Sequence, residues 1–310
     1  MSGKKRVLPT ALRHRTTSRR RRRDIVIAVT LTLVAVLVVG LVLIDRRHHG
    51  TGSATADTAE AERQQHNAAV LSDSFLKLKT DVPVGVAIVP VGGGTPILLG
   101  DQSVPLAWSI SKVPLSLITQ RNGGADGAEE IGITESDESA AWTMTLAMGS
   151  AENAISTITS TLREGGDEHT VVEPSPEGAP WPFFGETPWS TADSAIWTAH
   201  LPCMRDSAPV IDRMTRVNGD QDWGLRSIQP NAPVKGGWGP DNPDDESEGY
   251  TVRQIGLVAL PDGSRASVSM SSHQTYETYS SGISTMNQVA HWIGEHLAQL
   301  PGGRCTSTDE

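Results

Sequence analysis

The feature that most limits the folds open to this chain is an uninterrupted apolar run over residues 25–44. The run contains no charged residue and consists almost entirely of Val, Leu, Ile and Ala. At about 1.5 Å of helical rise per residue it spans about 30 Å, the thickness of the hydrocarbon core of a bilayer. The sequence therefore predicts a single transmembrane helix here, and a globular fold has to come from the residues outside it.

Charge is distributed asymmetrically about this run. Residues 1–50 hold twelve Lys/Arg and two acidic residues, a net charge of +10, whereas the remaining residues hold 14 and 34, a net charge of −20. Because basic residues beside a membrane helix stay on the cytoplasmic side, residues 1–24 are predicted to be cytoplasmic. The protein is therefore expected in the cell membrane, as a single-pass protein with an extracytoplasmic C-terminal domain.

Two other interpretations of the N-terminal region fit less well. A basic segment can bind nucleic acid, but next to a membrane helix it fits contact with anionic lipid better, so no nucleic-acid partner is expected. The sequence Ala54-Thr-Ala56 resembles a signal-peptide cleavage site, but the apolar run is too long and charged residues separate it from that site. An uncleaved anchor is the favoured interpretation.

The rest of the chain divides into a linker and one large domain. Residues 45–59 are small and polar, which is typical of a tether, and residues 60–310 are long enough to form a domain with its own core. The two cysteines of the chain, Cys203 and Cys305, both lie in this domain. In an oxidising compartment they can form a disulfide, and two free buried thiols are an equally open alternative.

Hydrophobic periodicity predicts that this domain combines helices with a β-sheet. The predicted elements are a helix from about Glu60, a β-hairpin over residues 81–100 with its turn at the glycine triplet 92–94, strands at residues 250–260 and 265–271, and a final helix with apolar positions from Ile283 to Leu297.

The segment after the hairpin, residues 107–118, predicts a buried helix that begins near Ser109. Pro114 is tolerated only in the first turn of a helix, which places the start of this helix at residues 109–111. Ser109 and Lys112 then lie three residues apart on one helical face, so the amine can reach the hydroxyl. Such a pair is the nucleophile and base of serine hydrolases that use lysine instead of histidine.

The spacing Ser-x-x-Lys is weak evidence by itself, because Ser74 and Lys77 repeat it within the first predicted helix. Two later segments make the pattern more specific. Ser136-Asp137-Glu138 precedes another predicted helix, where an ordinary helix N-cap is the alternative role, and Lys235-Gly236-Gly237 begins a predicted strand. Together they add a second hydroxyl and a second ammonium to the nucleophile and its amine.

In this order the motifs resemble those of the class A β-lactamases and related penicillin-recognising serine hydrolases. The likeness extends over roughly residues 60–305. It is strongest to membrane-anchored or lipoprotein members of actinobacteria, which carry segments similar to residues 108–112, 221–225, 235–240 and 252–256. The resemblance implies an α/β (α+β) fold, with an antiparallel sheet flanked by helices, an all-helical subdomain, and the active site between them.

The resemblance also implies roles for individual residues. Ser109 would be the acylated nucleophile, and Lys112 would be the amine that helps to remove its proton. Ser136 would relay a proton to the leaving nitrogen, and Lys235 would stabilise charge beside Ser136. The backbone N–H groups of Ser109 and Trp238 would form the oxyanion hole.

Other residues are expected to support the site or to contact the substrate. Gly236 and Gly237 belong to the strand that would lie along the substrate. Arg253 is similar to the strand arginine that holds a substrate carboxylate in some members, and an ordinary surface arginine is the alternative. Asp137 and Glu138 complete the second motif, with supporting roles that the sequence leaves open.

Two positions depart from the family pattern. Glu138 stands where the family usually has Asn, and Gly236 where it usually has Thr or Ser. The missing hydroxyl at 236 removes one hydrogen bond to the substrate, worth about 0.5–1.5 kcal/mol. A carboxylate at 138 is expected to raise the pKa of Lys112 and make it a poorer base. The alternative is that Glu138 itself activates water.

The sequence offers no clear residue for deacylation. Glu173, Glu177 and Glu186 lie in the region where β-lactamases carry the glutamate that activates water, but none has a matching context. The histidines beyond residue 50 show no paired metal spacing, so no metal and no cofactor are expected.

Two functions stay open. The first is a membrane-anchored serine hydrolase that acts through an acyl-enzyme on amide or ester bonds, with cell-wall peptides (peptidoglycan) or β-lactam-like molecules as substrates. The second is a catalytically inactive penicillin-binding-like domain that binds cell-wall material or a protein partner. The sequence does not predict an oligomeric state.

Overall fold

The computed structural model describes residues 53–306, apart from residues 173, 175–183, 244, 246, 248 and 276–278. The predicted basic segment 1–24 and membrane helix 25–44 lie outside the described residues. Among the helices that are described, none is long and apolar enough to cross a membrane. The chain separates into two compact units, Met1–Arg63 and Gln64–Glu310, and of the first unit only the helical residues from Ser53 onward are described.

A five-stranded antiparallel sheet forms the centre of the second unit. The strands are β1 (Val84–Pro90), β2 (Ile97–Gly100), β3 (Val234–Pro240), β4 (Tyr250–Ala259) and β5 (Arg265–Gln274). They lie in the order β2-β1-β5-β4-β3, so that β3 is an edge strand. The hairpin predicted at residues 81–100 and the two later strands are confirmed, and β5 continues to Gln274.

Most of the described helices lie between β2 and β3 in the sequence. The first described helix begins at Ser53, inside the segment expected to be a linker, and ends at Phe75. The helices are α1 (Ser53–Phe75), α2 (Lys112–Arg121), α3 (Ala128–Thr134), α4 (Glu138–Leu146), α5 (Ala151–Glu164), α6 (Thr191–His200), α7 (Ala208–Thr215) and α8 (Tyr279–Glu295). Short 3₁₀ turns include Trp108–Ser111, Gly219–Gln221 and Gly224–Ser227.

Helix α2 lies at the centre of the helical part of the fold. Its residues 112–119 are all buried, and it packs against α3, α4, α5 and α7. A helix buried on every face is fixed by its neighbours on all sides. The side chains at its first turn are therefore held in place by the core of the protein.

The sheet is covered by helices α6 and α8. Helix α6 packs against β1 and β5, and α8 packs against β4 and β5. One continuous core includes Val86 of β1, Val252 of β4 and Val289 of α8, all fully buried. The sheet and α2 thus belong to one packed body, with β3 against the turn that leads into α2.

A disulfide joins Cys203 and Cys305, with their Cα atoms 5.3 Å apart. The question left open by the sequence is therefore answered in favour of pairing. The bridge ties the chain after α6 to the C-terminal segment, where Gly303 pairs with Arg265 at the start of β5.

Candidate functional site

Ser109 and Lys112 lie together where the 3₁₀ turn Trp108–Ser111 continues into α2. The Nζ of Lys112 donates a hydrogen bond to Ser109 Oγ at 2.6 Å and another to the backbone oxygen of Ser136 at 3.0 Å. Pro114 occupies the first turn of α2, as predicted, and Ser111 Oγ closes the preceding turn by donating to Trp108 O at 2.7 Å. Local sequence thus brings the hydroxyl and the amine into contact.

The other Ser-x-x-Lys segment has a different environment. Ser74 Oγ accepts a hydrogen bond from Trp292 Nε1 at 3.0 Å and bonds His296 Nε2 at 2.9 Å, while Lys77 lies beyond the end of α1. Ser74 therefore joins α1 to α8 and has no amine beside it.

Ser136 and Asp137 have distinct positions at the start of α4. Asp137 is the N-cap, because its carboxylate accepts from Ala140 N at 2.7 Å. Ser136 has φ +60°, a left-handed conformation that costs a non-glycine residue free energy and is often found at functional sites. This conformation presents its backbone oxygen to Lys112 and its hydroxyl to Lys235.

Lys235 extends from β3 into the interior and is fully buried. Its ammonium donates to Ser136 Oγ at 2.9 Å, to Gln221 Oε1 at 2.5 Å and to Gly236 O at 2.9 Å. The amide nitrogen of Gln221 in turn donates to the backbone of Ile133 and Thr134 at 3.1 and 3.2 Å. Gln221 was not predicted as a site residue, although it begins the segment 221–225 that carries part of the family resemblance.

Burial dominates the electrostatics of the two lysines. It lowers the pKa of Lys112 to about 8, and the negative charges of Glu138 and Asp137 oppose this shift without cancelling it. The expected direction of the Glu138 effect is therefore confirmed, and the net shift of the Lys112 pKa is downward because desolvation of the buried amine is larger. Burial, followed by the charge of Lys112, lowers the pKa of Lys235 well below its usual value.

The glycines of β3 allow unusually close packing around the nucleophile. A Cβ at Gly237 would lie 3.0 Å from the backbone nitrogen of Ser109, and one at Gly239 would lie 2.4 Å from the ring of Trp108. Side chains at these positions would separate β3 from the turn that carries Ser109. The oxyanion hole formed by the N–H groups of Ser109 and Trp238 stays a prediction, and this packing places the two segments side by side.

Position 236 has no room for the missing hydroxyl. A Cβ at Gly236 would lie 2.8 Å from the ring of Trp223 and 3.3 Å from the ring of Trp238. The indole of Trp223 is held by its own hydrogen bond to Asp220 O at 2.9 Å. The space into which a threonine or serine would project is thus occupied by an aromatic ring.

An open pocket lies above Ser109. Its walls are partly aromatic, and the ring of Trp238 packs on Tyr279 with 4.7 Å between centroids. Trp108 has φ +47°, a second strained residue directly before the nucleophile. The described residues that line the pocket are Trp108, Ser109, Ser111, Lys112, Ser136, Glu138 and Trp238.

Arg253 fits neither expectation. It is fully buried, so the surface alternative is wrong, and it is not among the described residues that line the pocket. Its guanidinium donates to Leu106 O at 2.8 Å, to Pro105 O at 3.3 Å and to Ser194 Oγ at 3.3 Å. Arg253 thus supports the backbone that leads to the nucleophile, and its full burial separates it from a substrate carboxylate in the pocket.

Among the described residues of the 173–186 region, none lines the pocket. Glu173 and Glu177 lie outside the described residues, and Glu186 ends a short 3₁₀ turn without lining the pocket. Within the described ranges, no three His, Cys, Asp or Glu side chains come together as a metal site.

Solved structures share this fold, although no protein-family model and no curated protein sequence matches the chain. The extended-spectrum β-lactamase TLA-1 aligns with a TM-score of 0.60 at 12% identity, over 75% of this chain and 99% of that one. PBP-A gives 0.55 at 18% identity, over 77% and 97%. A β-lactamase from Chitinophaga pinensis gives 0.56 at 13% identity, over 74% and 98%. The domain therefore has a β-lactamase/transpeptidase-like fold.

Proposed function

We propose that the domain from residue 60 onward is a serine hydrolase that is acylated on Ser109 and acts on amide or ester bonds. The observation that carries the proposal is the 2.6 Å hydrogen bond between Lys112 Nζ and Ser109 Oγ, with the lysine 4% exposed. A buried amine with a lowered pKa can be neutral near pH 8, and a neutral amine can accept the serine proton.

The proposed reaction has two halves. Ser109 Oγ attacks the carbonyl carbon as its proton passes to neutral Lys112, and the carbonyl electron pair moves to oxygen beside the N–H groups of Ser109 and Trp238. The pair then returns, the bond to the leaving nitrogen or oxygen breaks, and Ser136 gives that atom its proton. The Lys112 ammonium then returns its proton to Ser136, which leaves Lys112 neutral again. Water then releases the acyl group as a free acid.

The proposed setting is the outer face of the cell membrane, with residues 25–44 as the anchor. The charge asymmetry of the sequence supports this orientation, and the Cys203–Cys305 disulfide suits an oxidising compartment. Cell-wall peptides and β-lactam-like molecules are the proposed substrate classes. A solved variant of PBP-A, similar in fold, is an acyl-enzyme complex with penicillin G, which supports acylation as the chemistry to test.

The second candidate is an inactive domain that binds cell-wall material or a protein partner. Glu138 favours it, because a carboxylate replaces the neutral amide of the family motif in the pocket. The ring of Trp223 also favours the inactive domain, because it occupies the space beside Gly236 in which a substrate-binding hydroxyl would lie.

Covalent labelling distinguishes the two candidates. The full chain in detergent is incubated with a reporter β-lactam and with a neutral activated thioester, and adducts are located by mass spectrometry. The hydrolase predicts an adduct on Ser109 that disappears in Ser109→Ala. Ser74→Ala is the matched control, because it removes the other Ser-x-x-Lys hydroxyl. Absence of any adduct in a protein that still unfolds cooperatively would refute the hydrolase and favour the inactive domain.

A further inference from the structure

The charge of the pocket depends on Glu138. It is the only acidic residue among the described residues that line the pocket, and its side chain is exposed. In the described part of the chain, no hydrogen bond or ion pair engages the Glu138 carboxylate. The neighbouring Asp137 is committed to the N-cap of α4. Glu138 thus presents to the pocket a carboxylate that has no hydrogen-bond or ion-pair partner among the described residues.

The cations nearby are not available to an anionic substrate. Lys235 is fully buried with three acceptors around its ammonium. Arg253 is fully buried and donates to the backbone oxygens of Pro105 and Leu106. Lys112 is 4% exposed, is engaged by Ser109 and Ser136, and is neutral in the state that would attack the substrate. In that state Glu138 carries the charge of the pocket lining.

The walls of the pocket also suit a cation. The indoles of Trp108 and Trp238 line it, and Tyr279 holds the ring of Trp238. The faces of aromatic rings attract ammonium groups, and tryptophan does so most strongly. The net charge of −20 beyond residue 50 adds a long-range electrostatic field that also attracts cations.

We propose that the substrate of the Ser109 site carries a cationic group, a primary or quaternary ammonium, beside the scissile amide or ester bond. The cation lies between the Glu138 carboxylate and the indoles of Trp108 and Trp238. This inference rests on the proposed function, since it names the substrate class of the same site. Penicillins carry a carboxylate, so they are expected to be poorer acylating agents here than cationic esters of equal reactivity.

A set of thioesters matched in shape tests the charge preference. The members end in trimethylammonium, in the nearly isosteric tert-butyl group, or in a carboxylate, and one series carries this group on the leaving thiol and another on the acyl half. Acylation of the full chain in detergent is followed by thiol release and by the adduct on Ser109. The cationic member of at least one series is expected to react at least about tenfold faster than its neutral partner.

Two variants localise the effect. Glu138→Gln is expected to bring the ratio of the cationic to the neutral acylation rate within about threefold of one. Glu135 is an exposed carboxylate three positions earlier that does not line the pocket, and Glu135→Gln is expected to leave this ratio unchanged. The ratio is the informative quantity, because any change of Lys112 basicity affects both thioesters equally. Raising the salt from about 0.05 M to about 0.5 M is expected to reduce the ratio in the wild type.

The outcomes separate this inference from the proposed function. Equal rates for cationic and neutral thioesters in both series, or a preference that survives in Glu138→Gln, overturn the inference while leaving a serine hydrolase. If no thioester acylates Ser109, the proposed function fails. Binding of the corresponding amides to Ser109→Ala, measured by tryptophan fluorescence, then tests the charge preference independently of acylation. Tighter binding of the cationic amide that is lost in Glu138→Gln supports it, and equal or undetectable binding overturns it.

Discussion

The pH dependence of acylation is the most direct test of the electrostatics at Lys112. With a pKa of about 8, Lys112 is neutral in about 9% of molecules at pH 7, whereas an ordinary lysine is neutral in about 0.03%. Burial therefore supplies about 300 times more free base. Acylation by a neutral thioester is expected to rise about tenfold per pH unit below pH 7 and to level off above about pH 8.

The charged groups around Lys112 determine where this transition lies. Burial lowers the pKa of Lys112, whereas the charges of Glu138 and Asp137 raise it, with Glu138 the larger contributor of the two. Glu138→Gln removes the charge that most favours the ammonium, so the midpoint is expected at lower pH and the rate at pH 7 is expected to increase. Asp137→Asn is expected to shift the midpoint less, because the charge of Asp137 contributes less to the Lys112 pKa, and Asn keeps the N-cap intact.

The assay is the initial rate of adduct formation on Ser109 between about pH 6 and about pH 9.5, after subtraction of the thioester hydrolysis without protein. Glu135→Gln serves as the charge-matched control and is expected to keep the wild-type midpoint. A midpoint near the usual lysine pKa, or one that stays in place or moves upward in Glu138→Gln, would refute this account of Lys112.

Three further predictions concern stability and packing. Lys112→Met is expected to abolish acylation but to raise the free energy of unfolding at pH 7 by up to about 3 kcal/mol. The lowered pKa of Lys112 reduces the stability of the wild type below pH 8, and this reduction disappears as the pH rises toward 10.5. Denaturant unfolding is therefore expected to give free energies of unfolding for wild type and variant that converge at high pH. A difference that stays constant with pH would contradict this prediction. Reduction of the Cys203–Cys305 bridge, which spans 102 residues, is expected to lower the free energy of unfolding by up to about 4.7 kcal/mol, and unchanged unfolding curves would contradict this. Gly237→Ala is expected to slow acylation at least about tenfold and to cost about 1–3 kcal/mol, because the new methyl would press on Ser109 N; wild-type rates would show that β3 can move aside.

Local sequence was sufficient to predict the elements that carry the site. The hairpin, the later strands, the start of α2 near Ser109 and the approach of Lys112 to its hydroxyl all follow from spacing and turn residues within a few positions. The helix N-cap, the alternative role for Ser136-Asp137, is found at Asp137, because an N-cap also depends only on neighbouring residues. Contacts that are local along the chain are readable because backbone geometry fixes them.

Contacts between distant segments could not be read in this way. Gln221 reaches Lys235 only when the turn 219–221 packs beside β3, and Arg253 lies beneath residues 105–106 only when β4 is placed in the sheet. The sequence shows the charge of Glu138, and its effect on the Lys112 pKa could be predicted. The larger effect of burial could not, because it depends on how the whole core packs around the lysine.

The packing of Trp223 against Gly236 couples two positions in any change of this site. A threonine introduced at 236 alone would meet the indole ring, since even a Cβ there lies 2.8 Å from it. Replacing Trp223 alone by a smaller residue would leave a void beside β3. Each single step is therefore disfavoured, while the pair of substitutions can be compatible, so the two changes are expected to be strongly non-additive. A path to a hydroxyl-bearing strand, evolutionary or engineered, therefore passes through a destabilised single variant whichever substitution comes first.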